Sequence, residues 1–204
     1  MDSSSGWNRA IGLIMIAASV GVVVAMGHHP SGAHGGPLGA IVHGAMIGLL
    51  LLWTWGFFHF ARGIGVERPL VLAGIITYSV SAFAHLVAAT INGFVVPALA
   101  ERHVSSHDLF LFAWLTNQAF AKVGVYMTGI AYTCWSAELL RDQTRPKWLG
   151  AIGLICGFVP VLLLASGAID LRVGGAFIVY TVHSVWAALV GVALLKRSRS
   201  AGSE

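Results

Sequence analysis

Long apolar segments follow one another along most of this chain, and short polar stretches separate them. Each apolar segment approaches or exceeds the roughly 17–25 residues that a helix needs to cross a lipid bilayer. The pattern predicts an all-α integral membrane protein, a six-transmembrane-helix bundle that forms one membrane domain over residues 1–204. The predicted spans cover residues 10–26, 38–61, 70–91, 109–140, 148–165 and 173–195.

The composition agrees with this class of protein. Hydrophobic residues make up 57% of the chain and charged residues only 10%, whereas soluble domains carry about 25% charged residues. The two cysteines, Cys134 and Cys156, lie far apart in apolar segments and form no CxxC pair. A disulfide framework or a thiolate metal centre is therefore not expected.

The distribution of lysine and arginine predicts the orientation. Nine of these residues fall on one side of the six-span arrangement, Arg102 and Arg172 fall on the other, and Lys122 lies within a span. Basic residues collect on the cytoplasmic side of membrane proteins, so both termini are expected to be cytoplasmic. The predicted location is a bacterial inner membrane. The basic residues at 196–199 are expected to contact anionic lipid and not nucleic acid.

The first apolar segment has a second interpretation as a cleaved signal peptide. Ala25, Met26 and Gly27 resemble a small-residue cleavage site, and a polar stretch follows them. The apolar run is longer than that of an ordinary signal peptide, and only Arg9 precedes it. We therefore expect the segment to be retained as a transmembrane helix.

Aromatic residues are concentrated at the predicted cytoplasmic ends of the spans. Trp53, Trp55 and Phe57 close the second span, and Trp135 lies near the end of the fourth. Aromatic side chains anchor helices at the membrane interface, so this group is predicted to be an interfacial belt.

Polar residues inside the apolar segments mark a candidate site. Lys122 lies near the middle of the fourth span, where a charge costs several kcal/mol unless it is partnered. Tyr126 follows it by one helical turn. His43, His85 and His183 lie in the outer halves of three other spans. Because lipid cannot satisfy polar groups, these residues are predicted to face one shared pocket inside the bundle.

Imidazole is the commonest neutral ligand of protein-bound metals, and pairs of histidines also hold haem iron. The leading hypothesis is therefore a site for haem b or copper, serving electron transfer or metal handling. Its predicted metal ligands are His43, His85 and His183. Lys122 and Tyr126 are expected to complete the cofactor site by pairing a propionate or carrying protons.

Three alternatives remain open at this level. The chain is a small secondary transporter or proton-coupled carrier if Lys122 and His183 bind a solute or exchange protons. It is a structural or accessory subunit of a homo-oligomer or a larger membrane complex if the polar groups only join helices. In the third alternative, the outer loop that contains His28, His29 and His34 binds metal weakly. No motif in the sequence indicates nucleophilic catalysis.

Overall fold

The computed structural model describes residues 3–29 and 36–200, with side chains from 6–29 and 38–198. Within these residues the structure is helical and contains no strand. The helices are α1 (Ser3–Gly27), α2 (Gly36–Ile64), α3 (Pro69–Thr90), α4 (Val96–Glu101), α5 (His107–Arg141), α6 (Lys147–Ala165) and α7 (Val173–Ser200). A single π-helical turn, Ile91–Val95, joins α3 to α4.

Five helical stretches are long and apolar enough to cross a membrane. They are Gly6–Gly27, Leu38–Ile64, Pro69–Glu101, Lys147–Ala165 and Val173–Ser198. The predicted fourth span forms one continuous helix of 35 residues, α5, but polar residues within it lower its hydropathy and it is not among the five. The structure thus supports an all-α membrane protein, and the count of six spans stays a prediction.

The third apolar segment is longer in the structure than the sequence predicted. The prediction ended this span at residue 91, whereas the helical chain continues through the π turn and α4 to Glu101. Pro97 does not stop it, because a proline in the first turn of a helix removes no hydrogen bond that the helix needs.

The helices form a bundle in which short connections place successive helices side by side. The two terminal helices, α1 and α7, also pack closely along their lengths. Gly12 and Gly191 face each other there, and a Cβ atom added to either would lie 2.7 Å from the carbonyl oxygen of the other. Small residues let helix backbones approach in this way in membrane proteins.

The middle of the bundle is filled by aromatic side chains. Phe57 of α2 is fully buried and contacts the rings of Tyr78 on α3, Tyr132 and Trp135 on α5, and Trp186 on α7. The centroids of these four rings lie 4.9–5.6 Å from that of Phe57. This geometry is typical of favourable ring pairs. We call these five residues the aromatic core.

Two tryptophans of the aromatic core are held by matching interactions. Trp135 Nε1 donates to Val71 O at 3.2 Å, and Trp186 Nε1 donates to Leu149 O at 3.0 Å. Each indole lies against a glycine of the acceptor helix, Gly74 or Gly153, where a larger residue would collide with it.

The prediction of an interfacial belt is therefore wrong for its buried members. Trp53, Phe57 and Trp135 are at most 5% exposed, whereas Trp55 is 46% exposed. In α2, Trp53 and Phe57 are four residues apart and share one face, while Trp55 lies on the opposite face. The sequence showed where the rings lie along the helix, but not which face turns inward.

We call the two ends of the bundle the arginine end and the histidine end. The arginine end contains the connections after α2 and α5, and Arg68 there contacts Glu138 at 3.0 Å and Asp142 at 3.1 Å. The Thr144 hydroxyl and backbone N–H also donate to Asp142, and together with Arg68 they lower the pKa of Asp142 to about 2. The histidine end contains the end of α1, the start of α2 and the connections after α4 and α6.

Candidate functional site

A large cavity lies at the histidine end of the bundle. It has a volume of about 750 Å³ and is bordered by the end of α1, the start of α2, the helical chain from α3 to α4, and the starts of α5 and α7. This volume lies within the range of small-molecule sites in proteins. We call it the outer cavity. Its polar lining residues are His29, His43, His85, Asn92, His107, Asn117, Gln118, Arg172 and Tyr180.

His43 lies in the second turn of α2 and is 7% exposed. Its Nδ1–H donates to Gly39 O, one turn earlier, at 2.7 Å. A carbonyl oxygen only accepts, so the proton of the neutral ring is on Nδ1 and the lone pair is on Nε2. That lone pair faces His29 Nε2 at 3.2 Å, and the two rings stand edge to face with centroids 4.8 Å apart.

The π turn after α3 gives His43 its place. Gly93 lies in this turn, and a Cβ atom added to it would lie 2.5 Å from His43 Cβ. Only a residue without a side chain allows α2 to come this close. π-helical turns occur frequently at functional sites, where they adjust the path of a helix locally.

His85 of α3 forms the wall between the outer cavity and a smaller space below it. Its Nδ1 shares a hydrogen bond of 2.9 Å with the hydroxyl of Tyr180 on α7. The imidazole lies against Gly124 of α5, where an added Cβ atom would lie 2.5 Å from His85 Cε1. Three helices therefore fix the position of this ring.

The smaller space, which we call the inner cavity, has a volume of about 40 Å³. This is enough room for two or three water molecules, but not for an organic cofactor. Its walls include His85, His183, Tyr180 and the pair Ser81 and Thr128, whose hydroxyl oxygens lie 2.6 Å apart. His183 is 1% exposed, and its Nε2 has no hydrogen-bond partner among the described residues.

The three histidines proposed as ligands do not surround one point. His43 lines only the outer cavity, His183 lines only the inner cavity, and His85 borders both. Within residues 3–29 and 36–200 there is no group of three or more His, Cys, Asp or Glu side chains that is placed to hold a metal. The imidazole of His43 contacts that of His29, which the sequence interpretation placed in the outer loop. His34 of that loop lies outside the described residues.

Lys122 and Tyr126 do not join the histidines. The Lys122 side chain is exposed on the outer surface of α5 and lines neither cavity. The prediction that it faces the interior is wrong, because the buried face of α5 runs through Gly124 and Thr128. Lys122 is two residues from Gly124, about 200° around the helix. Tyr126 packs beside a separate apolar cluster that contains Val125.

Two glycines that the sequence interpretation did not select shape the site, together with His29, which it named only as part of the outer loop. Gly93 and Gly124 make room for His43 and His85, and His29 places its ring against that of His43. For Gly93 the sequence offers a weak signal, because Asn92 and Gly93 interrupt an apolar stretch. Gly124 looks like any other small residue of a membrane helix.

The outer cavity contains little charge. Arg172 is its only charged lining residue among those described, and Arg172 is itself paired with Asp170 at 3.3 Å. The described lining includes no carboxylate. The cavity therefore offers imidazole, amide and thioether groups. These groups suit an uncharged ligand or a metal ion that binds nitrogen and sulfur better than an ion that keeps its water ligands.

The comparisons with known proteins leave the family open. No family model, no curated protein and no solved structure matches this chain.

Proposed function

We propose that this protein binds a metal in its outer cavity through the imidazole of His43. The observation that carries the proposal is the orientation of that ring. Its Nδ1–H is held by Gly39 O, and its Nε2 lone pair points into the cavity at a second imidazole. Metal-binding histidines almost always donate their other N–H to a carbonyl or carboxylate in this way.

A bare metal ion fits the histidine pair better than haem does. Two axial nitrogens on haem iron lie on opposite faces of the ring, about 4 Å apart when each bond is about 2.0 Å. His29 Nε2 and His43 Nε2 are only 3.2 Å apart, which leaves no room for the porphyrin plane between them. The outer cavity is large enough for haem b, so haem held by His43 alone is the second candidate.

The membrane arrangement that we propose has six spans, with α5 as the fourth. Helix α5 packs along α3 and α6, which are both candidate spans, and its length of about 52 Å at 1.5 Å per residue exceeds the bilayer core. The basic residues at the arginine end favour a cytoplasmic location for both termini. The outer cavity opens on the far side of a bacterial inner membrane, where an ion would enter it directly.

This arrangement supports metal handling over electron transfer. The pair of histidines lies at the histidine end of the bundle, and the exposed residue His107 borders the same cavity. Transport driven by Lys122 has less support, because that side chain points away from both cavities.

The test is the metal content and the visible spectrum of the full chain purified in detergent. We expect close to one metal per chain, or a Soret band if the second candidate is correct, and we expect His43→Ala to lose either signal. His59→Ala is the control, because His59 lies at the arginine end and bonds Asn8 at 2.8 Å. A colourless protein without stoichiometric metal, loaded or as purified, would contradict the proposal.

A further inference from the structure

We propose that Met26, His29, His43 and Met46 form a binding site for monovalent copper, Cu(I). The inference rests on the proposed function, since it names the ion and the ligands of the same cavity. All four residues line the outer cavity: Met26 lies in the last turn of α1, His29 lies two residues after that helix, and His43 and Met46 lie in the first half of α2.

The two imidazoles already have the separation that one metal ion requires. With metal–nitrogen bonds of about 2.05 Å, two nitrogens 3.2 Å apart subtend an angle of about 103° at the metal. This is close to the tetrahedral value. When one ion replaces this hydrogen bond, the proton leaves Nε2 of His29 and the neutral ring carries it on Nδ1 instead. The two rings turn so that both Nε2 lone pairs meet at the ion.

The methionines repeat the same spacing on both helices. Met26 precedes His29 by three residues, and Met46 follows His43 by three residues. His43 and Met46 share one face of α2, because residues three apart lie on the same side of a helix. Met26 lies in the last turn of α1 and His29 follows that helix, and both line the same cavity. Methionine side chains are long and flexible, and their sulfur atoms adapt to the position of a ligand.

The chemistry of these donors selects the ion. Imidazole nitrogen with thioether sulfur is a soft donor set, which favours Cu(I), whereas Ca²⁺ and Mg²⁺ require oxygen ligands. Zinc sites in proteins use Cys, His, Asp and Glu, and the described lining of this cavity offers only histidine among them.

The charge of the site points the same way. All four donors are neutral, and no carboxylate lines the described part of the cavity to balance a cation. The free energy needed to move an ion out of water grows with the square of its charge, so it is about four times larger for a divalent ion than for a monovalent one. A neutral set of ligands in an apolar cavity therefore favours Cu(I) over Zn²⁺ or Cu²⁺.

The experiment compares two ions on the full chain in detergent. The protein is stripped with a chelator and then titrated with Cu(I) under reducing conditions against a colorimetric Cu(I) chelator, and separately with Zn²⁺ against a fluorescent zinc chelator. We expect one Cu(I) per chain with an affinity at least 100-fold above that for Zn²⁺.

The variants separate nitrogen ligands from sulfur ligands. We expect His29→Ala to weaken Cu(I) binding at least 100-fold, with His28→Ala as the control, because His28 is exposed and does not line the cavity. We expect Met26→Leu and Met46→Leu each to weaken Cu(I) binding about 10-fold. Met127→Leu is their control, since Met127 lines neither cavity. His29 lies after the last turn of α1, so its replacement leaves the helices intact.

The outcomes distinguish the Cu(I) site from the more general proposal that His43 binds a metal. Binding of Zn²⁺ that equals or exceeds that of Cu(I), or Cu(I) binding that Met26→Leu and Met46→Leu leave unchanged, would overturn the Cu(I) site while metal binding at His43 stands. Haem binding lost in His43→Ala would overturn the Cu(I) site in the same way. Failure to bind either ion or haem would overturn both.

Discussion

Replacing Gly93 with alanine tests the geometry on which the site depends. The new Cβ atom would lie 2.5 Å from His43 Cβ, whereas ordinary contacts begin near 3.4 Å. The π turn and α2 must therefore separate by about 1 Å. If that movement carries His43 away from His29, the gap between the two Nε2 atoms grows from 3.2 Å to about 4 Å.

The expected effects follow from this displacement. Overpacking of a filled interior costs about 1–3 kcal/mol, and the helix propensity of alanine over glycine returns about 1 kcal/mol. Metal affinity should fall between 10-fold and 100-fold, because an N···N distance near 4 Å allows two bonds of about 2.05 Å only in a straight line, which excludes the four-ligand site with Met26 and Met46.

Gly48→Ala is the matched control for Gly93→Ala. Gly48 lies in α2, and an added Cβ atom there would meet nothing within 4 Å. The gain in propensity is similar for the two variants, so their difference in the free energy of unfolding isolates the collision. We expect Gly93→Ala to be about 1–3 kcal/mol less stable than Gly48→Ala by denaturation in detergent, followed by tryptophan fluorescence. Equal stability and equal metal affinity of the two variants would refute the reasoning.

Three further predictions concern other parts of the molecule. Phe57→Ala should lower stability by about 3–5 kcal/mol, measured by the same denaturation, because it empties the centre of the aromatic core; Phe83→Ala, at a side chain that is 62% exposed, should change it little. Asp142 has a folded pKa of about 2, below its unfolded value of about 3.9, so its stabilising contribution is complete above pH 4 and is lost as the pH falls toward 2. The midpoint temperature of thermal unfolding should therefore fall less steeply between pH 4 and pH 2 in Asp142→Asn than in the parent chain. Parallel curves of midpoint temperature against pH would contradict this. Lys122→Leu should leave the metal content unchanged. A loss of metal in this variant would show that Lys122 contributes to the site.

The fold class could be predicted from hydrophobic pattern alone, because bilayer thickness fixes the length of an apolar helix. Five of the predicted segments correspond to helices that are long and apolar enough to cross a membrane. The end of the third segment was misplaced, because a π turn followed by Pro97 resembles a loop in sequence.

The orientation of side chains around the helices was harder to predict. Lys122 was assigned to the interior because a charge in lipid is costly, yet its position on α5 is set by the packing of Gly124 and Thr128 against α3. His43 and His85 both border the outer cavity, whereas His183 and Lys122 do not. The partner of His43 was not foreseen, because His29 belongs to a different helix end and the separation between two helices is not encoded in spacing along either one.

X-ray absorption at the copper edge, on the full chain loaded with one equivalent of Cu(I), tests the central claim most directly. The account predicts two imidazole nitrogens at about 2.0 Å and a sulfur shell at about 2.3 Å, with the sulfur shell reduced in the Met26→Leu/Met46→Leu double variant. A spectrum without imidazole scattering, or one that His29→Ala and His43→Ala leave unchanged, would contradict it.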